Sequence, residues 1–194
     1  MTDWGALYAD HVARLATLAD GLAPDDGGRP VPGTPAWTVH DVLAHLAGVG
    51  ADNLTGRTDG APGPEWTAFQ VAERAALPLA AVVEELVTNA ADVAAVVDAG
   101  STGITYDVST HHADLLEALG RPRLAEPLWR PVLDDVAPRR ASGLVDRVPA
   151  YELWRGIFSR RSQAQLRALG LSAEQAADLG FFGPRTDDQP VPGT

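Results

Sequence analysis

Apolar residues in this chain recur at steps of three and four, and the segments that carry them are cut apart by Gly- and Pro-rich stretches. That period is the signature of one buried helix face. The Val-rich stretches follow it as well, so no segment reads as a strand. In residues 3–22, Trp4, Leu7, Tyr8, His11, Leu15, Leu18 and Leu22 share one face, and Gly21 with the following APDDGG stops the helix. Thr38 stands as an N-cap, with Asp41 three residues on, and opens a second helix over 39–54. Its apolar face is Val39, Val42, Leu43, Leu46 and Ala47. A helical piece at 65–76 follows the loop GRTDGAPGP, and Pro78 opens a third long helix over 78–98. A fourth covers 104–119 and ends at Gly120.

These four helices predict an all-α four-helix bundle over residues 1–120. The long connection between the second and third helices predicts a crossover in place of simple up-down order. Further helical stretches at 124–136, 150–169 and 172–179 predict a helical, Arg-bearing extension over 121–182 that packs on the bundle. Residues 183–194 (GPRTDDQPVPGT) read as a disordered or loosely docked tail.

Charge divides along the same boundary. The chain of 194 residues carries 15 basic groups, all Arg, against 26 acidic ones, a net of −11. Residues 1–120 hold four Arg against 17 Asp and Glu, a net of −13; residues 121–194 hold 11 Arg against nine, a net of +2. A chain this acidic is not expected to bind nucleic acid, which needs a cationic surface. No apolar run approaches a membrane span and MTDWGALYAD has no signal pattern, so a cytoplasmic protein without a membrane partner is expected. The absence of cysteine excludes disulfides, thiolate metal ligands and a Cys nucleophile. No Walker loop, glycine fingerprint, GxSxG elbow or HExxH is present.

The chemistry-bearing residues are polar groups on apolar faces. Projected at ~100° per residue, Asp107 and His111 fall inside the cluster of Ile104, Val108, Leu115, Ala118 and Leu119. Four residues apart, they point the same way. His45 lies on the flank of the second helix face, beside Val42 and Val49. Two imidazoles and one carboxylate suit a zinc-, nickel- or iron-type metal and leave coordination positions open. The same spacing also fits a satisfied core histidine at His45 and a simple hydrogen-bonded Asp107–His111 pair. His112 sits at the edge of the face, as the solvent-side member of the His pair. His11 fits a fourth ligand, an acid/base or a buried donor. Arg74, near Gln70, fits a clamp for a substrate carboxylate, or an ion pair with Glu73 or Glu84. Arg155, Arg160, Arg161 and Arg167 crowd one C-terminal stretch, and the five Trp are scattered as packing anchors.

Three stretches carry a family resemblance. TPAWTVHDVLAHLAG resembles the P-x-W-x-V-x-D-x-x-x-H-L-A-G segment of the DinB-like, mycothiol-dependent maleylpyruvate isomerase family. DVSTHHADLLEALG resembles its E-x-x-x-H-x-x-D-L-x-x-A-L-G segment, and IFSRRSQAQLRALG with FFGPR resembles the ending of many actinobacterial members. The resemblance implies a DinB-like bundle holding a divalent metal, usually zinc, on His45, Asp107 and His111. It implies mycothiol as thiol cofactor and a small electrophile as substrate. Arg74 matches the family's arginine before the third bundle helix; Arg74 and Arg160 are the expected cofactor contacts, and Arg74 and His11 the expected catalytic groups. One departure stands out: Asp107 occupies the place of a Glu, one methylene longer. A shorter carboxylate brings the metal closer to its helix or places a water between. The implied activity is thiol addition, S-transfer or cis–trans isomerisation by a monomer or homodimer. A thiol-free metal hydrolase or lyase and a non-catalytic binding module on the same fold are the alternatives.

Overall fold

The structure is a computed structural model, which describes residues 2–191. It divides into two compact units, 1–121 and 122–194. Among the described residues regular structure is helical, apart from one isolated bridge between Pro30 and Thr38. No helix of these residues is long and apolar enough to cross a membrane.

The first unit is a DinB-like helical bundle. Helix α1 (Trp4–Asp20) starts on Asp3, whose side chain accepts from the Ala6 amide. Helix α2 (Val39–Thr55) starts on the expected cap: Thr38 and Asp41 form a reciprocal capping box, a feature that contributes about 1 kcal/mol. Every residue from Val42 to Gly50 is buried, so α2 is the central helix and packs against α3, α4, α5 and α6 by turns. Helix α3 (Pro64–Arg74) lies in the crossover, with Pro64 at its first position. The helix expected over 78–98 is two: α4 (Leu79–Thr88) and α5 (Ala90–Asp98), with Asn89 between them near φ −83° and ψ −7°. Val87 and Thr88 are β-branched and Asn89 competes for backbone hydrogen bonds, which weakens the helix there. Their buried Val82, Leu86, Val93 and Val97 still form one stripe. Helix α6 (Gly103–Ala118) closes the bundle, and Gly120 leaves it at φ +63°. The core joins Tyr8, Val12 and Leu15 of α1 to Val42, Leu43 and Leu46 of α2 and Val108 and Leu115 of α6.

The second unit has its own core. Helix α7 (Glu126–Arg140) runs one turn beyond the expected 136, with Pro131 and Pro138 accommodated inside it. The helix expected over 150–169 is broken: α8 (Ala150–Ile157) ends before Ser159, which sits at φ +57°, and α9 (Gln163–Ala168) restarts on a Ser162–Gln165 capping box. Helix α10 (Ala173–Asp178) opens on the same device, Ser172–Gln175. Trp129 and Trp154 stack at 5.7 Å, with Tyr151 and Phe158 at their edges. The loose tail expected over 183–194 is pinned where it is described. Gln165 donates to the Gln189 carbonyl and Ser162 to Asp188, and Gln189 is buried. Residues 192–194 lie outside the described residues.

Candidate metal centre

Helices α2 and α6 bring His45, Asp107 and His111 together, with one ligand atom from each lying within 4.8 Å of the others. His45 Nε2 is 3.2 Å from Asp107 Oδ2, and His111 Nε2 is 3.5 Å from Asp107 Oδ1. The shorter Asp therefore reaches both imidazoles, one with each oxygen. The two rings stand 5.2 Å apart and near perpendicular, at 78°. Both imidazoles are buried, whereas the Asp107 side chain is 32% exposed. The site thus has a closed back and one open side, at the carboxylate.

Each histidine turns Nε2 into the cluster and Nδ1 away from it. His45 Nδ1 lies 2.7 Å from Gln70 Oε1, and Gln70 Nε2 donates to Asp52 Oδ2 at 2.8 Å. Arg57 donates to the other oxygen of Asp52 and pairs with Glu73 on both oxygens. That pairing holds the Glu73 carboxyl below its ordinary range. His111 Nδ1 lies 3.1 Å from Asp114 Oδ2, one turn further along α6. Backing of this kind orients imidazoles toward a metal and raises their basicity. Two nitrogens and a carboxylate converging on one point are a donor set for a zinc-type divalent cation, so the residues present fit the implied metal.

Two glycines make room for the backing groups. A Cβ on Gly48 would lie 2.5 Å from Gln70 Cβ, and a Cβ on Gly33 would lie 2.5 Å from Asp114 Oδ1. Trp37 and Trp66 form aromatic walls. Trp37 lies 4.9 Å from the His45 ring and 6.0 Å from His111, and Trp66 meets His45 edge-on at 6.5 Å.

The other expected residues are placed as follows. His112 is not on the solvent side: it is 3% exposed, and its Nδ1 meets His11 Nδ1 at 3.0 Å. The correction follows from α6 being covered on more than one side, since Ser109 to Leu115 are all buried. Burial first, then His11 and Arg14, pushes His112 far below the ordinary imidazole range. One member of this close pair must donate and the other accept. His11 thus takes the place of a buried partner of His112, and the three-residue cluster does not include it. Arg74 does not extend a clamp into the site. Its fork holds Glu85 on both oxygens, at 2.8 and 2.6 Å, and its remaining nitrogen donates to the Gln70 carbonyl. The partner is Glu85, not Glu84, and Glu73 lies farther off at 3.6 Å. Arg160 lies in the second unit, buried, and donates to the Phe158 carbonyl at 2.7 Å. Burial, reinforced by the Asp107 charge, raises the Tyr8 phenol above its ordinary range, so it stays neutral.

Gln70, Asp52, Asp114 and Trp37 are not among the residues expected at the site. Signals for some of them are present: Asp114 lies three residues from His111, Asp52 seven from His45, and Trp37 stands in the same quoted stretch as His45. No curated protein and no solved structure matches the chain. A family model does, over residues 8–155, and it is that of the mycothiol maleylpyruvate isomerase N-terminal domain. With more than half of its length matched, on a helical bundle that gathers two histidines and an aspartate, the chain belongs to this family.

Proposed function

We propose that this protein is a metal-dependent enzyme that uses a low-molecular-weight thiol, mycothiol, on a small electrophilic substrate such as an activated alkene or an epoxide. The observation that carries the proposal is the convergence of His45, Asp107 and His111 in a chain of this family. Those three side chains would hold the cation, with zinc the best match to the donor set. When bound, such a cation supplies Lewis acidity that favours the thiolate form of an added thiol.

The chain's own residues do the rest. Gln70 holds the His45 imidazole from behind, and the Asp114 carboxylate lies 3.1 Å behind that of His111. Trp37 and Trp66 shield them from water with apolar ring surface. Tyr8, buried and kept protonated, retains a hydroxyl hydrogen to donate. The nucleophilic sulfur must come from outside, since the chain has no cysteine. Adding a thiol across a conjugated double bond forms a C–S bond and leaves a C–C single bond that can rotate. Expelling the same thiol restores the double bond in the other geometry, so the thiol is regenerated.

The test is metal content by mass spectrometry in wild type, His45→Ala and His111→Ala. About one ion per chain in wild type, lost in both variants, is expected; stoichiometric metal that survives both substitutions overturns the proposal. The thiol is tested separately, by titrating mycothiol into metal-loaded protein. A rise in melting temperature is expected, because a ligand of the folded state stabilises it. No shift at any concentration would leave metal-assisted hydrolysis as the reading of the site.

A further inference from the structure

We infer that the buried carboxylate of Asp52 sets, through Gln70, which nitrogen of His45 faces the metal centre. Asp52 is 1% exposed and receives Arg57 on Oδ1, from Nε at 2.9 Å and Nη2 at 2.6 Å. Paired so with a guanidinium, its carboxylate serves as a hydrogen-bond acceptor. Its Oδ2 lies 2.8 Å from Gln70 Nε2, which must therefore be the amide donor. That orientation leaves Gln70 Oε1 facing His45 Nδ1 at 2.7 Å. A carbonyl oxygen cannot donate, so Nδ1 carries the hydrogen. The lone pair is then left on Nε2, the nitrogen 3.2 Å from Asp107. The reverse tautomer would set two acceptors face to face at Nδ1, where no cation can stand between them; at Nε2 the facing acceptor is Asp107, with which His45 would share the cation. Gln70 has no exposed surface, so no bulk water stands in for it.

The chain is built to keep this relay short. His45 and Asp52 lie two turns apart on α2, and Gln70 on α3 spans them. Gly48, between them, lets α3 approach: a Cβ there would be 2.5 Å from Gln70 Cβ and 2.7 Å from its Cγ. Arg74 secures the end of α3 by donating to the Gln70 carbonyl while it holds Glu85. Gln70 is thus a positioning residue that acts through His45. The inference rests on the reading of His45 as a metal ligand, and it adds a claim about the metal-free protein that can be read independently.

Two measurements test it on the full chain, with folding of each variant checked by circular dichroism. The first is zinc affinity, by competition with a chromophoric chelator. Gln70→Leu is expected to weaken binding about 10–100-fold, the usual effect of losing such a backing group. Gln70→Glu alone is also expected to weaken it, because the introduced carboxylate faces Asp52. Adding Asp52→Asn should then restore affinity toward wild type: the new amide donates to the new carboxylate, which accepts from His45 Nδ1. A pure packing role predicts no such rescue. The second is long-range nitrogen–proton NMR of the imidazoles in metal-free protein at pH 8. His45 is expected as the Nδ1–H tautomer, with Nε2–H gaining in Gln70→Leu. Wild-type zinc affinity in Gln70→Leu, or a His45 tautomer indifferent to that substitution, overturns the inference. If wild type takes up no zinc while the tautomer responds, the proposed function fails and the relay stands.

Discussion

The buried centre of residues 1–121 sets two imidazole nitrogens against one carboxylate, while that of residues 122–194 sets one carboxylate between two guanidinium groups. In the second unit Glu152 accepts from Arg161 at 2.5 Å and from Arg123 at 2.7 Å, on opposite oxygens. There the cation is part of the chain, and the charges meet within the fold. In the first unit the groups that meet are all potential lone-pair donors, and their positive partner has to come from outside, as a metal or a proton. The first arrangement, with the Asp107 side chain 32% exposed, suits a binding site; the second, with that of Glu152 at 8%, suits a structural joint. What separates them is which side chains the neighbouring helices supply, together with how far the carboxylate is closed off from solvent.

The largest effect that should separate the units is removal of the carboxylate. Glu152→Leu takes away a carboxylate that Arg161, which is 1% exposed, and Arg123 share, and should cost about 3–5 kcal/mol in denaturant unfolding. Asp107→Asn in metal-free protein should change stability by less than about 1 kcal/mol, since an amide can donate to an imidazole lone pair. Equal losses in the two variants would break the distinction. Next comes the response to zinc. At a free concentration a hundredfold above its Kd, zinc should stabilise wild type by about 2.7 kcal/mol. The thermal shift should vanish in Asp107→Asn and persist in Glu152→Leu.

Gly48→Ala tests how tightly α3 must sit. Overpacking against Gln70 Cβ should cost about 1–3 kcal/mol and weaken zinc binding in the same variant. The smallest effect is at the surface, where the units behave alike. Arg57 lowers the Glu73 carboxyl below its ordinary value, and Arg185 does the same to Asp187. A carboxyl lowered in the folded state stabilises the fold above its unfolded value, about 4.3 for Glu. That contribution is lost as pH falls through the folded value. Glu73→Gln should thus be less stable than wild type at pH 7 by under about 1 kcal/mol. The gap should close on acidification and shrink in 1 M salt, as read from urea melts.

Much of this architecture is legible in local spacing. The Thr38–Asp41 box and the apolar stripe behind it mark where α2 begins and which face is buried. The i, i+4 step from Asp107 to His111, with His45 on a helix flank, is enough to nominate all three members of the cluster. The Ser162–Gln165 box was equally present in the residues, yet an apolar pattern running through it suggested one helix where Ser159 turns the chain. His112 was misplaced because a projection shows directions around one axis and not how many neighbours cover that axis. Gln70 was out of reach for a related reason. It lies 25 residues from His45, and their contact depends on how closely α3 approaches α2 at Gly48.

By itself, the sequence determined the helical class, the start of α2 at its Thr38 cap, the acidic and near-neutral parts, and the need for any thiol to come from outside. Those follow from composition and from periods of three and four, which are properties of a chain next to itself. Only the tertiary structure decided that Arg74 serves Glu85, that His11 and His112 face each other, and that Asp52 reaches His45 through Gln70. Each of those is a contact between different helices, from 11 to 101 residues apart. Its energy depends on distances of a few ångströms that no local period encodes.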